Sequence, residues 1–585
     1  MKKLMHICAI LLLALGVQAQ QYGILVNGED FYPATYEGED PFGGGFDQYL
    51  AHIYMHAGDY CQLYDAGTQA AWTVVLNSSS VNVFTLNNNR YNCSTDGCYD
   101  FYIKLKYQQD ELYIGPGEDC NTQPQDPDTP PQQDYATAVP SQCEDVMLQA
   151  FYWDSYQDKG FGDTKWATLS GQVTEIGQSF DLVWLPPSHE SKGGLGYIPG
   201  CYSTQSSTAL GKKAALQGLI AGLHNNGVRV IADIVINHCG NSSTACDFKS
   251  LDFGDYGQFA PQSSWMTSND EGVTNYSCSG GSNADDGQHE ANYGPARDWD
   301  HKNPQVQAMC KAYLQWMKNV ILYDGFRYDY VGGYHVSHIN DYNTAAKPYF
   351  SVIEYWVGDA NELKTRIDQA DKNTLAFDFA AKYTAFRDGI YQKNYTKCLN
   401  AGMRGKGYSK YAVTFIDNHD TFARGNDNED VANKRNGESV NDKSLMMRCN
   451  AYLLSLPGVP CVFYPHWVTY KSEIKQMIIA RKTAGIHSES TMTEEATKDY
   501  YKATVQGKYG SVVLYLGTAA SEAAPAGYKT AVKGSDYAMY YTGTGSQKVE
   551  TVKSEQTAGE KFLQDGRLYI RCGERVYDIM GNAIN

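Results

Sequence analysis

Between residues 143 and 486, apolar strand-like runs alternate with helix-like runs, and this rhythm constrains the fold more than any other feature of the chain. The strand runs are VMLQAFYW, FDLVWLPP, VRVIADIVI, DGFRYDYV, YFSVIEYW, TLAFDF, YAVTFID and VPCVFY. Helical patterns such as KKAALQGLIAGLHNN, NPQVQAMCKAYLQWMKNVI, NELKTRIDQADK and DKSLMMRCNAYLLSL lie between them. Eight β-then-α units in one domain predict a closed (β/α)8 TIM barrel over 143–486, not an open doubly wound sheet. The third strand is followed by an irregular excursion over 239–297. Its Gly, Asn, Tyr and Trp content predicts an ordered, loop-rich inserted subdomain.

The flanks read differently. A chain of 585 residues is too long for one core, so several domains are expected. Residues 20–120 carry short apolar runs (QYLAHIYM, YCQLYD, WTVVL, YDFYIKLKY) separated by Gly, Asn and Asp, which predicts a β-sandwich. Residues 121–142, rich in Pro, Gln and Asp, read as an extended linker. Strand-like runs return after Ile486 and predict a C-terminal antiparallel β domain over 487–548, followed by a β-rich tail over 549–585.

The N-terminal residues MKKLMHICAILLLALGVQAQ read as a signal peptide over 1–19, cleaved after Ala19. The apolar run is too short for a comfortable membrane span, and Cys8 stands at its start, where a lipoprotein anchor would not use it. The expectation is a secreted protein: extracellular, at the cell surface or periplasmic. Of the 15 cysteines only Cys8 is lost with that peptide. The close pairs Cys93/Cys98 and Cys239/Cys246 could each form a disulfide in an oxidising compartment, or remain buried thiols. A net charge of -18 leaves no basic stripe for nucleic acid and suits an uncharged partner. The 46 tyrosines could stack on sugars or simply pack.

Barrel enzymes carry their reactive groups at the C-terminal ends of the strands. There the sequence places DIVINH (233–238), GFRYDYVGG (325–333), SVIEYW (351–356) and FIDNHD (415–420). Strand alternation sets Phe326, Tyr328 and Tyr330 on one face and Arg327, Asp329 and Val331 on the other. Asp329, Glu354 and Asp420 would then converge on one mouth, with Arg327, His238 and His419 around them. A single Asp there could be a helix cap and a single His structural. The set points to glycoside cleavage, which needs one protonated and one ionised carboxyl group. Arg327 beside Asp329 would keep that carboxylate ionised and aimed. Glu354, flanked by Val352, Ile353 and Trp356, is better placed to hold a proton.

These four segments resemble, in order and spacing, the signature regions of glycoside hydrolase family 13 α-amylases, and most closely the plant-type members. The resemblance extends through LQAFYW, VWLPPSH, GLGYIPGCY, ARDWDHKNPQVQ and LPGVPCVFY and covers about 146–486. It implies an α-amylase that hydrolyses internal α-1,4-glucosidic bonds of starch, glycogen or maltooligosaccharides with retention; a monomer is expected. It also implies that Asp329 is the nucleophile, Glu354 the general acid/base and Asp420 the third carboxylate. Arg327 would orient Asp329, His238 and His419 would bond the sugar, and Tyr197 would stack beneath it. A structural Ca2+ would be held by Asn237, Asp298 and the carbonyl of Gly333.

One departure stands out: Gly332 occupies the position where plant-type relatives usually carry a Lys that grips the leaving side of the chain. The N-terminal region resembles starch-binding modules of bacterial amylases, with Trp72 either on a glucan platform or in the core. The final segment resembles β-rich tails of secreted bacterial proteins. A family 13 transglycosylase or debranching enzyme is the alternative. A catalytically silent glucan-binding protein would be expected to lack a carboxylate of the triad, and none is missing.

Overall fold

Eight parallel strands close into a barrel in chain order: β1 (Met147–Gln149), β2 (Leu182–Leu185), β3 (Arg229–Ile234) and β4 (Gly325–Tyr328), then β5 (Phe350–Ile353), β6 (Leu375–Phe377), β7 (Ala412–Phe415) and β8 (Val459–Phe463). Strand β8 pairs back onto β1. Every strand falls on a run the sequence singled out. The computed structural model describes residues 22–117 apart from 29, 40–46, 66–69, 75, 77–79 and 106–109. It also describes 133–545 apart from 208, 241–247, 271, 289–293, 424–429 and 433–437, and three strands between 560 and 578. The predicted signal peptide, residues 121–132 of the predicted linker and Cys246 lie outside the described residues.

Barrel strands meet helices outside and one another inside, so both faces of β4 are buried. The Tyr328 hydroxyl donates outward to Asn343 Oδ1 on the helix Ser337–Ala346 (2.9 Å), which leaves Arg327 facing the barrel interior. Gly325 opens the strand because a Cβ there would lie 2.5 Å from the Phe350 carbonyl oxygen on β5. The extended run ends earlier than predicted. Tyr330 turns into the left-handed region at φ 50°, and Val331–Gly333 form a tight 3-10 turn.

The outer helices start where capping side chains stand. The Asn303 side chain accepts from the Gln305 N–H (2.9 Å) ahead of Pro304–Asn319. Asp359 does the same for Ala360–Gln369 through Asn361 (2.8 Å), and Asp442 for Lys443–Ser455 through Leu445 (3.0 Å). The described part of the inserted subdomain is loop-rich, as expected. Its ends, His238–Cys239 and Arg297–Asp298, pair antiparallel, and inside it a buried Arg297 pairs with Asp270 (2.7 Å).

After the barrel comes a five-stranded antiparallel sheet ordered Thr491–Ala496, Tyr500–Gln506, Ser511–Gly517, Tyr537–Tyr541, Lys529–Lys533. It packs on the helices Lys443–Ser455 and Lys471–Ala484. Residues beyond 545 belong to a separate unit, in which Glu560–Gln564, Arg567–Cys572 and Arg575–Asp578 form an antiparallel meander.

The N-terminal region is the predicted sandwich. One sheet runs Asp30–Pro33, Tyr22–Val26, Tyr60–Asp65, Arg90–Cys93, Phe84–Asn87, and the other Glu111–Pro116, Gly97–Leu105, Asp47–Met55, Thr35–Glu39. Ile24, Leu63, Tyr91, Phe101 and Ile103 are among the side chains filling the space between them. Trp72 packs half-buried against this core, edge-on to Tyr22, with its N–H donated to Asp110 Oδ2 (3.2 Å). Of the two positions the sequence allowed it, this is the packed one.

The end of the linker and the sandwich are both tied to the barrel. The last part of the linker is not loose, because Asp134 takes Lys318 (2.7 Å) and Lys347 (2.9 Å), and Ala138 bonds Asn373 and Ser351 on the barrel. The sandwich itself sits on the helix Lys213–Asn225: Leu25, Phe31 and Tyr64 pack on Ala214, the Phe31 N–H reaches Gln217 Oε1 (3.1 Å) and Asp30 pairs with Lys213. Composition could not show this, since the contact is made by an apolar ring the sandwich turns outward.

The pair Cys93/Cys98 does not form. Cys98 is disulfide-bonded, whereas Cys93 is a thiol donating to the Thr95 carbonyl (3.1 Å). Cys239 donates its S–H to the Pro199 carbonyl (3.2 Å), and Cys278 is the other disulfide-bonded cysteine among the described residues.

Candidate active site

Parallel pairing of β3 with β4 sets Asp233 in register with Arg327, and β4 with β5 sets Arg327 beside Val352. The fully buried guanidinium of Arg327 therefore lies among three carboxyl groups. Its Nη1 donates to Asp233 Oδ1 (2.7 Å) and Asp329 Oδ1 (2.6 Å). Its Nη2 lies 2.6 Å from Glu354 Oε1, close enough for charge pairing though out of line for a hydrogen bond. Asp329 and Glu354 thus stand at neighbouring strand ends on one cation. Their backbones extend the barrel ladder, Asp329 N–H to the Ile234 carbonyl and Glu354 N–H to the Tyr328 carbonyl, both at 2.9 Å.

The left-handed turn at Tyr330 aims its own N–H at Glu354 Oε2 (3.1 Å). Burial dominates the titration of Glu354 and raises it to about 8, with Asp329 and Asp420 adding to the effect and Arg327 opposing it. This agrees with the proton-holding role expected from its apolar neighbours. Asp233 is likewise pushed up to about 7 by burial, against the pull of Arg327.

The other expected residues gather at the same mouth. Tyr197 donates its hydroxyl to Asp233 Oδ2 (2.8 Å), and its half-buried ring lies near-parallel to His419, centroids 5.0 Å apart. His238 Nε2 bonds the Tyr197 carbonyl (2.8 Å). His419 lies 3.0 Å from Gln149 Nε2 through Nδ1 and 3.3 Å from Asp420 Oδ2 through Nε2. Asp420 sits in the first turn of a helix that begins at His419, its N–H bonded to Asn418 Oδ1 (3.0 Å).

Three contributors escaped sequence reasoning. Asp233 couples Arg327 to Tyr197 and also accepts the Trp184 N–H (3.1 Å); a lone Asp inside an apolar strand was its only signal. Trp153 carries a third ring plane within 15° of those of Tyr197 and His419. Lys382, buried after β6, donates to Asp417 Oδ1 (2.9 Å) and the Ile416 carbonyl (2.7 Å), which fixes the end of β7 ahead of His419 and Asp420.

Of the expected calcium ligands, Asn237 and Asp298 meet, and Gly333 lies beside Asn237. Asn237 Nδ2 donates to Asp298 Oδ1 (3.0 Å), and the Asn237 amide stands where a Cβ on Gly333 would be. Asn237 Oδ1 is buried and has no hydrogen-bond donor among the described residues. An oxygen left over in this way suits a hard cation. Among the described residues no three His, Cys, Asp or Glu side chains group to hold a metal, so an ion here would draw on amide and carbonyl oxygens with Asp298 as the charged ligand.

A barrel whose mouth brings an aspartate and a glutamate onto one arginine is a glycoside hydrolase scaffold. The family described as Alpha amylase, catalytic domain matches residues 172–509, and the chain belongs to this family and is a glycoside hydrolase. Probable alpha-amylase 2 of Arabidopsis thaliana is 30% identical over 427 residues, spanning 68% of this chain and 94% of that protein. Alpha-amylase 3, chloroplastic, of the same plant is 28% identical over 424 residues, spanning 68% of this chain and 44% of that protein. A solved gamma-CGTase from alkalophilic Bacillus clarkii shares the fold, with TM-score 0.50 and 15% identity over 70% of this chain and 72% of its own.

Proposed function

We propose that this protein is a secreted, retaining, endo-acting α-amylase that hydrolyses α-1,4-glucosidic bonds in starch, glycogen or maltooligosaccharides. The observation that carries the reading is the single guanidinium of Arg327 holding Asp329 and Glu354 at adjacent strand ends. Two carboxyl groups gathered on one cation suit the retaining arrangement, in which one of them attacks directly. Glu354, protonated, gives its proton to the leaving glycosidic oxygen as Asp329 bonds to the anomeric carbon and the C–O bond breaks. Glu354, now ionised, takes a proton from water, whose oxygen displaces Asp329 and restores both carboxyl groups. Asp420 and His419 hold hydroxyls of the sugar at the cleavage point, His238 lines the same site, and Tyr197 offers its ring face below.

The fold alone does not separate hydrolysis from transfer. Digestion of soluble starch followed by anomer and product analysis should give α-configured maltooligosaccharides from internal cuts. β-configured sugars, or mainly rearranged chains, would overturn the reading. The sandwich is read as an accessory α-glucan-binding module. No helix among the described residues is long and apolar enough to cross a membrane, and the leader residues support export.

Asn237, Asp298 and the Gly333 carbonyl would hold calcium, which would tie the inserted subdomain to the end of β4. A ligand bound only by the native state stabilises it by mass action, about 2.7 kcal/mol at a hundredfold excess over Kd. Chelation should therefore lower the melting temperature, and Asp298→Ala should remove most of that response. An identical melting curve with and without chelator, with no metal found by elemental analysis, would reject the site.

A further inference from the structure

The turn that follows β4 is fastened from outside by a strap of the inserted subdomain, residues 285–288. The Gln288 N–H donates to the Gly332 carbonyl (2.7 Å), and its Oε1 accepts the Val336 N–H (3.1 Å). Asp286 accepts the His335 N–H on Oδ1 and lies against His338 Nε2 with Oδ2, both at 3.2 Å. The Gln288 side-chain amide also reaches Gln369 Oε1 (3.1 Å), on the helix after β5. The strap thus ties together the two barrel units that supply Asp329 and Glu354.

What it fastens is under strain. Tyr330 is a bulky residue at φ 50°, a conformation that persists only where the surroundings over-determine it. That conformation directs the Tyr330 N–H onto Glu354 Oε2, and the Gly333 N–H closes the turn on the Tyr330 carbonyl (3.1 Å). At its root the turn is also held by the Val331 N–H on the Glu354 carbonyl (3.0 Å) and by Asn237 packed on Gly333, whereas the strap fastens its outer side.

We propose that Asp286 and Gln288 are positioning residues for the acid step: by clamping the turn after β4 they hold Tyr330 left-handed and so keep the Glu354 carboxyl aimed at the leaving oxygen. The proposal rests on the assignment of Glu354 as general acid. Neither residue touches the reacting atoms.

The test compares two substrates with different need of that proton. Maltoheptaose has a poor leaving group and depends on Glu354, whereas an α-maltooligoside of an acidic phenol departs nearly unaided. In Gln288→Ala and Asp286→Ala, kcat on maltoheptaose should fall about tenfold with KM little changed, and the aryl substrate should change by about twofold or less. Asp286→Asn keeps an acceptor for the His335 N–H and should recover most of the loss. Equal losses on both substrates, a change in KM alone, or no change in folded Gln288→Ala would each overturn the proposal. Should Asp286→Ala fail to fold, Gln288→Ala and Asp286→Asn still decide it. A wild-type protein that cleaves neither substrate would instead reject the functional reading beneath it.

Discussion

Asp329→Asn should reduce starch hydrolysis by about four orders of magnitude while leaving fold and glucan binding intact, because an amide cannot form the glycosyl ester. Glu354→Gln should be as damaging on starch, where the leaving oxygen needs a proton, but should spare the first step on aryl glycosides with acidic phenols. The two variants also separate by pH. Burial raises Glu354 to about 8, so the proton is present below that value and lost above it. The wild-type kcat/KM should therefore decline on the alkaline side, and the Glu354→Gln enzyme, assayed on an activated aryl substrate, should lack that decline. Near-normal starch hydrolysis by either variant would remove the assignment.

Arg327→Ala should have the largest effect on stability. The side chain is wholly buried, and its loss leaves Asp233, Asp329 and Glu354 without their shared cation. Removing one partner of a buried ionic group costs about 3–5 kcal/mol. The carboxyl groups can escape part of this by staying protonated, which fixes the sign with pH. Asp233 at about 7 and Glu354 at about 8 are already raised above ordinary carboxyl values, so the folded state binds more protons than the unfolded chain. Loss of the cation should raise them further. The destabilisation should then be mild near pH 5 and grow as pH rises through the raised values. Thermal melts at both ends of that range would show it, and a loss independent of pH would mean that the arginine acts by packing alone.

The barrel was legible because eight strand runs alternate with helical ones, and Asp329 and Glu354 stand directly after their strands, while Asp420 lies a short way past β7 in the helix that begins at His419. Less legible was what register creates. That Asp233 faces Arg327 follows from pairing β3 with β4, and nothing local to DIVINH reveals it. The end of the β4 run was overread for a related reason: Tyr330 and Val331 have strand-like side chains, yet the backbone leaves the sheet to reach Glu354. Spacing suggested Cys93/Cys98, but cysteine pairing depends on which strands lie side by side, and the structure bonds Cys98 without Cys93. The linker read as extended because it is rich in Pro, Gln and Asp, residues that offer little to bury. Asp134 and Ala138 nonetheless find partners on the barrel, and partners lie far away in sequence.

Phe31, seated on the helix Lys213–Asn225, turns the sandwich from a tethered float into a bracket. A float gains by sweeping a volume, and its benefit varies with the length of its leash. A bracket sweeps nothing. If the sandwich binds glucan as proposed, the glucan would leave along one fixed direction, and its free end would have to bridge the remaining gap. Chain length of the polymer, not of the protein, then sets the threshold for cooperation. Inserting Gly-Ser repeats after residue 120 would leave granule digestion unchanged, whereas Phe31→Asp would release the mount and make the same insertion matter.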